Sequence, residues 1–243
     1  RLKPQIKKYG FDHVWEASGK QLAVRNYCDY CKYLDRKGLL EKFREHVRSC
    51  GPNMKDPSKT QFTGDPWPFE EKDYIDMVTG KEILRAIDKR PKDKPFFIFG
   101  SFSGPHKPYD PPKSYLDKYP LEEKDDFMPG DAPLAPETKK RLYKLRRAYK
   151  AMIAVIDDQV GRIFKKLEKE GLLDSTVIML TSDHGEMLGD HNRLSKMQAW
   201  RQSVAVPTAI RHPEFLRKQT YANPVELTDL TATILDIAGV DWK

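Results

Sequence analysis

The sequence predicts an α/β fold, a mainly parallel central sheet flanked by helices, and three observations carry that prediction. Two short runs, 95–102 and 176–181, are apolar on both faces, as strands covered by helices on each side must be. A long stretch between them repeats its apolar residues at three- and four-residue steps, the period of a helix face. Helix, glycine, short loop and strand then follow one another around Gly171, which is half of a crossover between parallel strands.

The first run, Pro95-Phe-Phe-Ile-Phe-Gly-Ser-Phe102, is aromatic and opened by a proline; the second, Thr176-Val-Ile-Met-Leu-Thr181, is bounded by polar residues. The helix between them is expected over 137–170, with Leu142, Leu145, Met152, Val155, Ile163 and Leu167 on one stripe. Gly171 supplies its stop. A last helix is expected over 226–238, carrying Leu227, Leu230, Ile234, Leu235 and Ile237 and ending at Gly239. The segment 20–48 is helical in character. The Pro- and Gly-rich stretches 51–68, 104–112 and 128–136 read as loops, with a loop-rich excursion around 50–75. No internal repeat or low-complexity tract interrupts the chain.

Across 243 residues, 39% hydrophobic content with 11% aromatics supplies a core, which excludes wholesale disorder. The formal charge is +7, and it is spread along the chain. Its densest stretch, from Lys139 to Lys150, falls on the long helix, where a solvated face accounts for it more simply than polyanion binding. No nucleic-acid partner is expected. No window approaches the ~18 apolar residues that span a bilayer, and no apolar signal segment opens the chain. Arg1-Leu-Lys-Pro reads as chain interior, so an upstream segment is expected; the compartment stays open, with periplasmic, secreted or lysosomal ahead of cytoplasmic. Of three cysteines, Cys28 and Cys31 form a CxxC without a second pair or histidines at zinc-ligand spacing. The helical spacing around them favours packing.

In open parallel sheets, ligands bind beyond the carboxyl ends of the strands. The second run leads straight into Ser182-Asp-His-Gly-Glu186, and the first into Ser103-Gly-Pro-His-Lys-Pro108. Asp183 and His184 can face one cation together, against a plainer reading as a capped turn before a helix at Glu186. Asp190, His191 and Lys196 follow closely. His106, between Pro105 and Pro108, could donate a proton to a leaving oxygen or simply bond the backbone of its loop. The proposition is geometric: two neighbouring strand ends bring His106 to a cation held by Asp183 and His184.

Several blocks together resemble the sulfatase family of the alkaline phosphatase superfamily. Gly10-Phe-Asp12 is similar to the segment that follows the family's GKWH motif, and Pro95-Phe-Phe with Pro105-His-Lys-Pro-Tyr-Asp-Pro-Pro112 to its PFF and PHxP block. Tyr149 to Arg162 resembles the helix before the metal strand. Thr181-Ser-Asp-His-Gly-Glu-Met-Leu-Gly-Asp-His191, then Lys196, resembles the family's late signature, and 225–239 its closing helix. The resemblance implies an alkaline phosphatase-like fold, with 1–243 as the central and late part of one domain. It also implies roles: Asp183 and His184 as ligands of calcium or another divalent metal, Lys196 as a sulfate-binding group, His106 as a sulfate-binding group and leaving-group acid. The substrate would be a sulfated small molecule or sulfated glycan.

The family's nucleophile, a formylglycine made from cysteine or serine in a C/S-x-P-x-R motif, lies ahead of the GFD segment, which here begins at residue 10. It is therefore expected upstream, in the remainder of a parent chain, and residues 1–243 alone are expected to be inactive. Cys50-Gly-Pro-Asn-Met54 has Met54 where the motif needs arginine. Two alternatives stand beside sulfate-ester hydrolysis: a phosphonate or phosphate ester hydrolase of the same superfamily, and a non-catalytic fragment.

Overall fold

The computed structural model describes residues 3–51, 63–124, 126–215 and 217–241. Two units result, one of Arg1–Leu173 with Leu188–Asn192, the other of Asp174–Met187 with Arg193–Lys243.

The first unit is helical. After α1 (Lys3–Lys8) come α2 (Lys20–Ala23), α3 (Asp29–Asp35) and α4 (Leu40–Ser49), so 20–48 is helical as its sequence predicts. Tyr30 and Leu34 of α3 are buried, as are Phe43 and Val47 of α4. The Tyr30 ring meets Phe43 edge-on at 5.7 Å, and Trp67 packs on Tyr74 at 5.4 Å; such pairs contribute about 0.5–1.5 kcal/mol each beyond their burial. Trp67 and Tyr109 are thus core residues.

Helix α5 (Ile75–Lys89) is one the sequence reading missed. It and the short α6 (Lys113–Leu116) pack on α7 (Pro136–Lys169), the helix expected over 137–170. Pro136 opens α7 at a position that lacks an intrahelical N–H partner anyway, and Gly171 follows its end in the left-handed region at φ 66°. Leu142, Leu145, Ala148, Met152 and Val155 are buried along its stripe.

The run 95–102 forms no strand among the described residues, which corrects the expectation that it is a central strand. Phe96, Ile98 and Phe102 are half-buried, while Phe97 and Phe99 are exposed. One face lies on α5, where Gly100 sits against Ile83. β-propensity records how side chains fit a pleated surface and does not supply a ladder partner.

In the second unit, β1 (Ile178–Thr181) pairs with β2 (Thr208–Arg211), with Ile178 opposite Arg211 and Thr181 opposite Thr208. The pairing is antiparallel, one antiparallel pair in a fold expected to be mainly, not wholly, parallel. Between the two strands the described residues hold just one short α-helix, α8 (Arg201–Val204). It is too short to cover a sheet face and return the chain for a parallel partner. The last helix, α9 (Leu227–Ile237), starts at a capping box in which the Glu226 and Asp229 side chains each take the other's backbone N–H.

Candidate active site

β1 ends at Thr181 and delivers Asp183 and His184 two and three residues on. The turn they stand on is fixed by neighbours within the same unit. Gly185 donates its N–H to Ser203 O at 2.8 Å, and Met187 to Ser195 O at 2.9 Å. A Cβ on Gly185 would stand 2.0 Å from Gln202 O, so only glycine allows this approach.

Asp183 is largely exposed, and its two oxygens divide their work. Oδ1 accepts the His184 N–H at 3.0 Å. Oδ2 lies 3.3 Å from His184 Nε2. His184 Nδ1 is 2.7 Å from Gly185 O; a carbonyl only accepts, so Nδ1 carries the proton and Nε2 presents its lone pair. That is the orientation metal-ligating histidines adopt when their other ring nitrogen bonds a backbone carbonyl. A carboxylate oxygen and a ring nitrogen this close fit two positions in the shell of one divalent cation. Among the described residues no third His, Cys, Asp or Glu joins them.

Lys196 lines the same hollow, about 360 Å³, with Asp183, His184, Met197, Gln198, Ser203 and Val204. Its neighbours Ser195 and Met197 both have left-handed backbone, φ 70° and 74°. Non-glycine residues held there cost on the order of 1–3 kcal/mol each, so local conformational preference alone does not aim Lys196.

His106 belongs to the first unit. The loop that carries it is anchored at both ends by buried carboxylates. Asp76, in the first turn of α5, accepts the N–H groups of Ser103 at 2.7 Å and Gly104 at 3.0 Å; burial nevertheless holds its carboxyl above the usual range. Asp110 at the far end bonds Lys20 and, at 2.8 Å, His46 Nε2. His106 itself is exposed, and its Nδ1 lies 2.9 Å from Lys107 O, so proton transfer would fall to Nε2.

The structure thus gathers Asp183, His184 and Lys196 on one hollow and describes His106 in the other unit. Asp190 and His191, next to them in sequence, do structural work in the first unit: Asp190 accepts from Arg146 at 2.7 Å and His191 Nδ1 bonds Pro129 O at 2.7 Å. Sequence reasoning missed Ser203, Met197 and Val204 as walls of the hollow, for no motif marks them.

A family model, Sulfatase, matches residues 3–240. The chain belongs to the sulfatase family. An arylsulfatase of Clostridium perfringens is 33% identical over 194 residues, 72% of this chain and 40% of that protein. The chain therefore spans about two fifths of that relative's length. Among solved structures, a phosphonate monoester hydrolase of Silicibacter pomeroyi superposes with TM-score 0.68 at 22% identity, covering 87% of this chain and 46% of that one. Another neighbour, solved in complex with its substrate D-glucosamine-2-N,6-O-disulfate, gives TM-score 0.59 at 20% identity over 70% of this chain and 49% of that one. At these identities the structural likenesses show the fold alone, which is α/β.

Proposed function

We propose that the chain supplies the late half of a sulfate-ester hydrolase site, working with a formylglycine nucleophile contributed from outside these residues. Asp183 and His184 would hold a calcium ion, which when bound would supply Lewis-acid chemistry to the sulfate oxygens. The Lys196 ammonium neutralises charge that develops on those oxygens as the S–O bond breaks. His106, bonded through Nδ1 to its own loop, gives the proton on Nε2 to the departing alcohol. The reading rests on one observation, the 3.3 Å approach of Asp183 Oδ2 to His184 Nε2 on a hollow shared with Lys196, in a chain of the sulfatase family. A sulfated small molecule or sulfated sugar is the substrate class.

In a parent-length enzyme, Lys196→Ala should lower kcat about 10²–10³-fold, by analogy with the loss of one oxyanion donor. His106→Ala should lower it about 10²–10⁴-fold for alkyl sulfates and much less for p-nitrophenyl sulfate, whose leaving group needs no proton. Residues 1–243 alone should not turn over either ester. They should bind calcium weakly, because hard cations want six or more oxygens, and calorimetric titration should show that binding lost in Asp183→Ala. Two results would sink the reading: aryl sulfate hydrolysis by the isolated chain, or a parent enzyme that cleaves phosphonate monoesters faster than sulfate esters.

A further inference from the structure

We propose that Cys28 and Cys31 are a redox-active dithiol that closes to an intramolecular disulfide. They stand one turn apart at the start of α3, both buried, with their Sγ atoms 3.5 Å from each other. Packing asks for two small apolar groups; it does not ask that the sulfurs face one another. The surroundings are polar as well. Cys31 Sγ lies 3.5 Å from Ala23 O and 3.4 Å from Asn26 O. Arg44 donates to the same two carbonyls, at 3.4 Å and 3.1 Å, which sets a guanidinium beside the pair.

The two thiols are not equivalent. The Cys31 S–H bond to the Cys28 sulfur, helped by bonds from Ser18 and the Cys31 backbone N–H, outweighs burial and lowers the Cys28 thiol to about 5. The same S–H bond, with burial, raises Cys31. A thiol held low beside one held high is the pairing of an attacking and a resolving cysteine. The oxidant is a low-molecular-weight disulfide, RSSR. The Cys28 thiolate attacks one of its sulfurs; a Cys28–SR bond forms, the S–S bond breaks, and RS⁻ leaves and takes up a proton. Cys31 then loses its proton and attacks Cys28 Sγ, expelling the second thiol. Two thiols of the protein are oxidised and RSSR is reduced to two RSH. Residues 25–27, next to the pair in the chain, are exposed.

The test equilibrates the protein in glutathione redox buffers, quenches with acid, denatures and alkylates it, then counts thiols and maps linked peptides by mass spectrometry. In the oxidised buffer two of the three cysteines should lose reactivity and map to a Cys28–Cys31 bond, while Cys50 stays alkylated. Cys31→Ser should trap one glutathione on Cys28, and Cys28→Ser should leave Cys31 unmodified. Three alkylated cysteines in the oxidised buffer, or a bond that includes Cys50, overturns the proposal. Should either variant fail to fold, the thiol count and map of the unsubstituted protein decide. Ester hydrolysis is read separately, so neither proposal falls with the other.

Discussion

Lys20 and Asp110 are 90 residues apart, and their side chains are among the most buried in the protein. The Lys20 ammonium also bonds Tyr74 Oη at 3.1 Å and Pro108 O at 2.8 Å, so its donors are satisfied. Removing Asp110 strands the Lys20 ammonium in the core, whereas removing Lys20 leaves Asp110 with His46. Asp110→Asn should therefore cost about 3–5 kcal/mol and Lys20→Met less, whereas a packed apolar replacement of both should recover most of the Asp110→Asn loss. Denaturant unfolding of the two singles and the double checks this, and simple addition of the two losses would refute it. His46 shares Asp110. Burial would lower its pKa, but hydrogen bonds with Asp110 and Cys50 raise it from 6.5 to about 9. A raised histidine contributes stability that is complete below its unfolded value and lost as pH climbs through the folded one. Thermal melts should thus lose stability between pH 6.5 and about 9, and His46→Gln should flatten that slope. An unchanged slope would remove His46 as its source. Nothing in the sequence marks this network. Lys20 follows a glycine, and Asp110 sits among prolines as any loop residue would; only folding shows that they meet.

Elements differ in how openly the sequence declares them. The long helix α7 was legible because its apolar stripe persists over 34 residues and a proline and a glycine bracket it. Helix α5 was not. Ile75, Val78, Thr79 and Gly80 carry low helix propensity, and the glycine reads as a breaker. In the fold Gly80 is what lets α5 approach α7, since a Cβ there would stand 2.5 Å from Gln159 Oε1. Packing overrides propensity at such a contact. The turn after β1 is the opposite case, a short signature whose glycine the sequence did place. Gly185→Ala would push a methyl group into Gln202 O, and the turn must move. Hydrogen exchange should then show loss of protection at the Gly185 and Met187 amides, together with weakening of the calcium binding proposed for Asp183 and His184. Unchanged exchange at both amides would mean the approach is looser than described.

At the scale of the whole molecule, the α/β class read from two apolar runs agrees with the solved neighbours, while the pairing of those runs does not follow from the runs themselves. Phe97, Phe99 and Leu180 are exposed, although their pattern asks for cover on both faces. Among the described residues no helix is long and apolar enough to cross a membrane. What the sequence determined by itself was local: helix stripes, caps and stops, and the identity and order of Asp183, His184, Lys196 and His106. These depend on near-neighbour periodicity and on short motifs, which are written along the chain. Strand direction, the burial of Tyr109 and Asp110, the Lys20–Asp110–His46 network and the facing sulfurs of Cys28 and Cys31 were decided by the tertiary structure. Each depends on which groups exclude water from one another across space, and that is a property of the folded chain.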